Sequence, residues 1–288
     1  MNNKLKVYKA HIENYLEQEC FVYPSEPQQT LFEAMRYSLL AGGKRLRPIF
    51  VFDFCDMCGG NWKDATTFAA ALEMVHTYSL IHDDLPCMDN DDYRRGMLTS
   101  HKKFGEATAV LAGDGLLTAA FQFVSKAPFS AETRIKAVSV LAECAGELGM
   151  VGGQVLDMQS ETRQCTKEEV IAIQSRKTGA LIKAACVLGV LAGQGSEAQI
   201  AAAEAFASEL GLAFQIRDDM LDVIGNAEEL GKAVGVDAVK NTFVQLYGLE
   251  TCDQMVKDHT NAAIAALDAF SEHAFMAQLS GELTGRTK

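Results

Sequence analysis

Proline is scarce, at 5 residues in a chain of 288, so little in the sequence prevents long helices from forming. Runs of alternating β-branched residues are missing as well, which removes the usual sign of a half-buried sheet. No apolar run approaches the ~20 residues of a membrane span; the longest, Ala184 to Ala192, is far too short. The opening residues, Met1-Asn2-Asn3-Lys4-Leu5-Lys6, lack the continuous apolar core of a signal segment. The expectation is therefore a cytoplasmic protein with no membrane insertion. Cations are outnumbered, 26 Lys and Arg against 38 Asp and Glu, for a formal net charge of -12. That balance argues against nucleic acid or an anionic membrane surface as the main partner. The 8 cysteines are scattered. Cys55 and Cys58 have redox or half-zinc spacing, but no second pair completes a site, so they read as buried thiols.

What is present is helix-forming sequence without a compositional shift. It predicts an all-α fold, a single domain over residues 1–288, with ample length for a core. Helices are expected at about 4–20 and 31–40, from about Asp64 to Ile81, from Glu106, from Glu132 to Met150, and from Glu204 to Val223. Gly42-Gly43 stops the second of these, and Pro48 suits the first turn of the next. The segment from Gly96 to Lys103 reads as loop, as does Gly231 to Lys240.

The chemistry concentrates in two acid clusters. Asp83, Asp84, Asp89, Asp91 and Asp92 follow the apolar run Met74 to Ile81 and precede Arg94 and Arg95. Carboxylates crowded at the end of a buried helix repel one another unless a cation sits among them, and all-oxygen sites suit Mg²⁺. A solvated acidic loop is the plain alternative in so acidic a chain. Phe214-Gln215-Ile216-Arg217-Asp218-Asp219-Met220-Leu221-Asp222 then repeats the pattern on another apolar helix. Asp218 and Asp222, four apart, share a helix face. Folding alone calls for neither cluster. A diphosphate held between the two by divalent metal accounts for both.

Cationic segments accompany the acids. Lys44-Arg45-Leu46-Arg47 follows the Gly pair, and glycines with bare amides at a helix start favour an anion. His76 lies two helical turns before Asp83, on roughly the same face. Adjacent Arg94 and Arg95 point different ways and can serve different anions. Lys177 offers a point charge for phosphate and Thr178 a hydroxyl. Tyr78 sits about 7.5 Å deeper along the helix axis than Asp83.

In combination these residues resemble the trans-isoprenyl diphosphate synthases, most closely the bacterial farnesyl diphosphate synthases. The resemblance spans nearly the whole chain. It is carried by Gly42-Gly43-Lys44-Arg45-Leu46-Arg47-Pro48, Asp83-Asp84 with Asp89, Arg94-Arg95-Gly96, Lys177-Thr178-Gly179, and Phe214-Gln215 before Asp218-Asp219 and Asp222. It implies the isoprenoid synthase fold, a bundle of ten or more helices around a deep central cavity, as a homodimer. It further implies roughly two or three Mg²⁺ ions per active site, with Mn²⁺ able to substitute. Asp83, Asp84 and Asp89 would hold metal from one side; Asp218, Asp219 and Asp222 from the other. Arg94, Lys177, Thr178, Gln215, Lys232 and Lys240 would bind the allylic diphosphate. Lys44, Arg47, His76 and Arg95 would take isopentenyl diphosphate. Catalysis would fall to Asp83, Asp84, Lys177, Thr178, Gln215 and Asp218. Tyr78, beside the small Ser79, would floor the cavity and stop growth at fifteen carbons. Arg286 and Lys288 would fold over the isopentenyl site as part of a lid, with a frayed basic tail as the plain alternative.

One segment departs from the family. A Lys-x-Thr-Tyr-Pro stretch is common in close bacterial relatives, and here it reads Lys240-Asn241-Thr242-Phe243-Val244 after a loop about two residues short. Rival readings are a geranyl or geranylgeranyl diphosphate synthase, a terpene cyclase and a non-catalytic regulatory subunit. A cyclase needs no second diphosphate pocket, and a regulatory subunit is free to lose the metal sets kept here.

Overall fold

The computed structural model describes residues 2–230 and 241–286. Among them the fold is all-α, relieved only by two strands of two residues each. It divides into two compact units, residues 2–141 with 191–194, and residues 142–190 with 195–288.

In the first unit, α1 (Asn2–Glu19), α2 (Gln29–Leu39) and α3 (Leu46–Met57) lead through a 3-10 turn (Trp62–Ala65) to α4 (Thr66–Asp83). Pro48 lies in the first turn of α3, where its missing N–H costs nothing. Helix α4 is apolar almost all round and correspondingly buried from Thr66 to Ile81. A small hairpin follows, β1 (Tyr93–Arg94) with β2 (Met97–Leu98), then α5 (Ser100–Phe104) and α6 (Glu106–Ser125). The stretch expected as loop from Gly96 to Lys103 thus contains a strand and a helix. Both are too short for periodicity to reveal.

Helix α6 packs along α4, and Gly113 permits the approach. A Cβ there would stand 2.1 Å from His82 Nε2. By length and composition alone α6 is the one described helix apolar enough to cross a membrane. Its buried residues, Ala109, Ala112, Gly113, Leu116, Ala120 and Val124, form a single stripe, and Val110 and Leu111 are exposed.

The expected helix from Glu132 to Met150 is broken. Helix α7 (Ala131–Ala145) ends first, and α8 (Met150–Ser160) begins after a turn. Gly149 caps α8 with its backbone against α7; a Cβ would lie 2.1 Å from the Cys144 carbonyl oxygen. In the second unit α9 (Lys167–Gln174) opens on a capping box of Thr166 and Glu169. A π-helical turn (Ser175–Gly179) joins it to α10 (Ala180–Ala192). Helix α11 (Glu197–Leu230) is longer at both ends than the expected 204–223, and α12 (Phe243–Tyr247), α13 (Leu249–Ala266) and α14 (Ala274–Thr284) complete the unit. Ile216, Met220, Phe243, Cys252 and Val256 form the core beneath the acidic part of α11, with Cys165, Val170 and Ile173.

Candidate active site

Each unit carries one half of the expected constellation. In the first, the turn between α2 and α3 folds back on β1 and its flank. Gly42 and Gly43 have φ of +82° and +127°, conformations open to glycine and costly for other residues. At Gly43 the reason is also spatial. A Cβ would stand 2.9 Å from the Arg95 guanidinium carbon, and Arg95 Nη1 donates to the Gly42 carbonyl. Arg94, one residue earlier, turns the other way. Its Nη2 lies 2.5 Å and its Nε 2.7 Å from Asp84 Oδ1, with Asp91 at 3.5 Å.

Behind this loop is a concentration of cations, of which Arg45 is buried. Arg45 Nη1 lies 2.6 Å from Glu73 Oε1, with both residues buried. Arg47 is half-buried overall, yet its Nε is enclosed and has no hydrogen-bond partner. Burial, then the Arg47, Arg95, Arg45 and Arg94 charges, push His76 well below its ordinary pKa, so it is neutral at pH 7. Burial and Arg95 likewise lower Arg47, against the pull of Glu73. A buried, unsatisfied guanidinium nitrogen is costly unless an anion completes it. Lys44 stands exposed at the edge.

The acids at the end of α4 divide by burial. Asp84 is 3% exposed and occupied by Arg94, while Asp89, Asp91 and Asp92 are exposed and Asp83 intermediate. Burial raises the pKa of Asp84, and the Arg94 hydrogen bond opposes it. Five residues before Asp83 on α4, Tyr78 is buried with its ring edge-on to His82, centroids 5.6 Å apart. Burial and Asp83 push its hydroxyl up to about 12. Ser79 spends its hydroxyl on the His76 carbonyl at 2.9 Å.

In the second unit the π-helical turn presents Lys177 and Thr178. Lys177 Nζ lies 2.5 Å from Asp157 on α8. Thr178 Oγ1 donates to Gln215 Oε1 at 3.5 Å, and Gln215 Nε2 donates to Asp219 Oδ1 at 3.1 Å. The other oxygen of Asp219 accepts the Phe243 backbone N–H at 2.8 Å. Asp219 is 7% exposed, Asp218 is intermediate and Asp222 exposed. Burial raises the pKa of Asp219, while its two hydrogen bonds hold it down. Arg286 pairs with Asp218 and stacks over the Phe214 ring, 4.2 Å from its centroid. Expected as part of a lid, it lies on the acid helix itself. Lys232, Lys240 and Lys288 fall outside the described residues.

Reading the motifs did not reveal three residues that hold this half together. Asp157 and Gly153 are one turn apart on α8 and meet Lys177 through side chain and backbone; their i, i+4 spacing was the available signal. Asn241 staples the divergent segment: its Nδ2 donates to the Ser160 and Arg163 carbonyls, and its Oδ1 accepts from Cys165 N–H. Phe243 is fully buried in the core, so the departure from the family pattern fills space with an apolar ring.

Among the described residues, no three His, Cys, Asp or Glu side chains stand together as a metal cage. The donor set still fits Mg²⁺, which is normally held by one or two carboxylates and takes its remaining oxygens from water and phosphate.

Comparison with known proteins agrees with this chemistry. The polyprenyl synthetase family profile matches residues 28–278. The farnesyl diphosphate synthase of Micrococcus luteus is 50% identical over 242 residues, 83% of each chain. That of Bacillus subtilis (strain 168) is 45% identical over 270 residues, 91% of each chain. Among solved structures, the apo FPP/GFPP synthase of Zymomonas mobilis superposes with a TM-score of 0.88 at 35% identity, covering 97% of this chain and 96% of that one.

Proposed function

The chain belongs to the polyprenyl synthetase family, and from that premise we propose that it is a prenyltransferase condensing isopentenyl diphosphate with dimethylallyl or geranyl diphosphate to give mainly farnesyl diphosphate. The observation that carries this reading is the cluster of Arg45, Arg47 and Arg95 around a neutral His76, with Arg47 Nε enclosed and unpartnered. It is a receptor for an anion, and its His76 lies on α4 two helical turns before Asp83.

Isopentenyl diphosphate takes the basic pocket of Lys44, Arg47, His76 and Arg95. The allylic diphosphate takes Arg94, Lys177, Thr178 and Gln215, with Lys232 and Lys240 as further candidates. Asp83, Asp84 and Asp89 with Asp218 and Asp222 are the candidate Mg²⁺ set; Asp219, expected among them, has each oxygen taken by another donor. The support for giving both acid sets to one diphosphate is chemical: Mg²⁺ takes one or two protein carboxylates and completes its shell with phosphate oxygens and water. When bound, Mg²⁺ supplies positive charge that lowers the cost of a diphosphate leaving group.

The allylic C–O bond breaks, and its electron pair departs with the diphosphate. Lys177 and Arg94 stabilise the charge that develops there. The isopentenyl double bond then supplies the pair for the new C–C bond. The resulting tertiary cation loses a proton to the released diphosphate, which forms the product double bond. Thr178 and Gln215 offer oxygen lone pairs to the passing carbocation, and a dry pocket keeps water from trapping it as an alcohol.

Tyr78 is the candidate floor for chain length, supported by its burial five residues before Asp83 on α4. The family profile runs through both compact units, which supports reading residues 1–288 as one polyprenyl synthetase domain. Helix α6, strongly apolar along its length yet buried on one stripe only, supports a homodimer.

Incubation with Mg²⁺, isopentenyl diphosphate and dimethylallyl diphosphate, followed by chain-length analysis, tests the proposal. Fifteen-carbon product is expected. A twenty- or ten-carbon product would move the assignment to geranylgeranyl or geranyl diphosphate synthase. No condensation at all would leave the regulatory-subunit reading.

A further inference from the structure

The two aspartates of the α11 pair sit in different worlds. Neighbours on a helix are about 100° apart, so Asp218 shares its face with Asp222, and Asp219 shares another with Gln215. On the first face Asp222 is exposed and Asp218 is half-buried against Arg286. The second is buried over the core, and Asp219 there holds a donor on each oxygen: the Phe243 backbone N–H at 2.8 Å and Gln215 Nε2 at 3.1 Å. Phe243 is fully buried at the start of α12, so its N–H is a fixed donor.

This arrangement has a direction. An ionised carboxylate only accepts hydrogen bonds, so it draws the amide –NH₂ of Gln215 toward itself. The carbonyl end of Gln215 is thereby turned to Thr178, and it accepts the Thr178 hydroxyl proton. Thr178, having spent its proton, has only lone pairs left to present. From Phe243 N–H through Asp219 and Gln215 to Thr178, the polarity of each group is fixed by the one before it, and the far end is rich in electron density. Such a chain suits a site that must stabilise a carbocation and would be spoiled by one reversed amide.

We propose that Asp219 is a positioning residue that sets the polarity of Gln215 and Thr178, and that it is not a metal ligand. This deepens the prenyltransferase reading and rests on it. The conclusion separates the two members of the Asp-Asp pair: Asp218 faces the cation, and Asp219 orients the groups that face the hydrocarbon.

The test compares Asp219→Asn, Asp218→Asn, Gln215→Glu and the double variant Gln215→Glu/Asp219→Asn. Two quantities are measured: binding of Mn²⁺ in the presence of inorganic pyrophosphate, read as free Mn²⁺ by electron paramagnetic resonance, and kcat with KM for both substrates. Asp219→Asn should keep Mn²⁺ affinity within about twofold while kcat falls about 10- to 100-fold, with little change in KM. Asp218→Asn, the ligand control, should lose Mn²⁺ affinity about tenfold or more. Gln215→Glu sets a carboxylate against Asp219 and should also lower kcat with Mn²⁺ binding intact. In the double variant the amide introduced at position 219 donates to the carboxylate introduced at position 215, whose remaining oxygen still accepts from Thr178. That swap restores the direction of the chain, and kcat should recover to within about tenfold of the parent. Recovery is diagnostic whether Asp219→Asn alone is slow or fails to fold.

Loss of Mn²⁺ affinity in Asp219→Asn equal to that in Asp218→Asn would overturn the proposal. So would a double variant no better than the worse single one. If the parent chain makes no prenyl product, the prenyltransferase reading fails, and the Mn²⁺ measurements still judge whether Asp219 is a ligand.

Discussion

Gly153 and Lys177 touch backbone to backbone. A Cβ on Gly153 would stand 2.3 Å from the Lys177 nitrogen and 2.7 Å from its Cα. One turn further along α8, Asp157 takes the Lys177 ammonium at 2.5 Å. The π-helical turn that carries Lys177 and Thr178 is thus held by α8 at both the backbone and the side-chain tip of one residue. Gly153→Ala should cost about 1–3 kcal/mol from overpacking, seen in urea unfolding. It should lower kcat as well, because Lys177 and Thr178 move together. Full activity and stability would mean that α8 yields without disturbing the turn.

Glu73 and Arg45 form the buried pair beneath the cationic loop, 2.6 Å apart. Glu73→Gln leaves a guanidinium inside without its counter-charge, and the expected loss is about 3–5 kcal/mol. Pairing it with Arg45→Gln should return part of that loss, since the stranded charge is gone. Denaturation of the two single variants and the double completes the cycle; strict additivity would deny the coupling.

Arg286 lies on Asp218, where a metal ion would also seek the carboxylate. Removing the guanidinium by Arg286→Gln should let Mn²⁺ with pyrophosphate bind about two- to fivefold more tightly. A partly exposed ion pair is worth no more than about 1 kcal/mol. Titration followed by free Mn²⁺ would expose the error if affinity stays the same or weakens.

Tyr78→Ala opens space beneath the acid cluster and should shift the product toward twenty carbons or longer. Removing so large a buried ring should cost about 3 kcal/mol, so the assay belongs well below the melting range. Chromatography of the dephosphorylated products decides, and an unchanged distribution removes Tyr78 from the floor.

His76 links stability to pH. Unfolded histidine titrates near 6.5, whereas in the folded chain burial and four arginines hold its pKa well below that. Between those two pKa values the unfolded chain binds more protons, so stability rises with pH. Acidification below about 6.5 should weaken the parent, by up to about 1.4 kcal/mol per pH unit from this group. His76→Gln lacks that slope. Urea midpoints at pH 7.5 and 5.5 should therefore show the variant gaining on the parent in acid. An equal difference at both values would contradict a neutral imidazole in the folded chain.

The all-α class and the helix end at the first acid cluster were legible from scarce proline, unbroken helix-forming sequence and paired aspartates; the second acid helix runs past its expected end at Val223 to Leu230. So was the divergence of Arg94 and Arg95, because neighbouring residues in an extended or turning chain point apart. The break between α7 and α8 was not. It depends on how closely Gly149 can approach Cys144, a contact that hydrophobic periodicity does not encode. Nor could the motif separate Asp218 from Asp219. Both stand at the surface of an apolar helix, and the face that packs is chosen by Phe243 and the core around it.

From composition and spacing alone follow the helices, the two acid sets and the cationic loop, because helix period and charge are local properties of the chain. Tertiary structure alone decided that Arg94 holds Asp84, that Arg286 holds Asp218 and that Asp219 turns inward to Phe243. Each of these pairings joins residues ten to sixty-eight positions apart, and which donor reaches which carboxylate depends on how neighbouring helices pack.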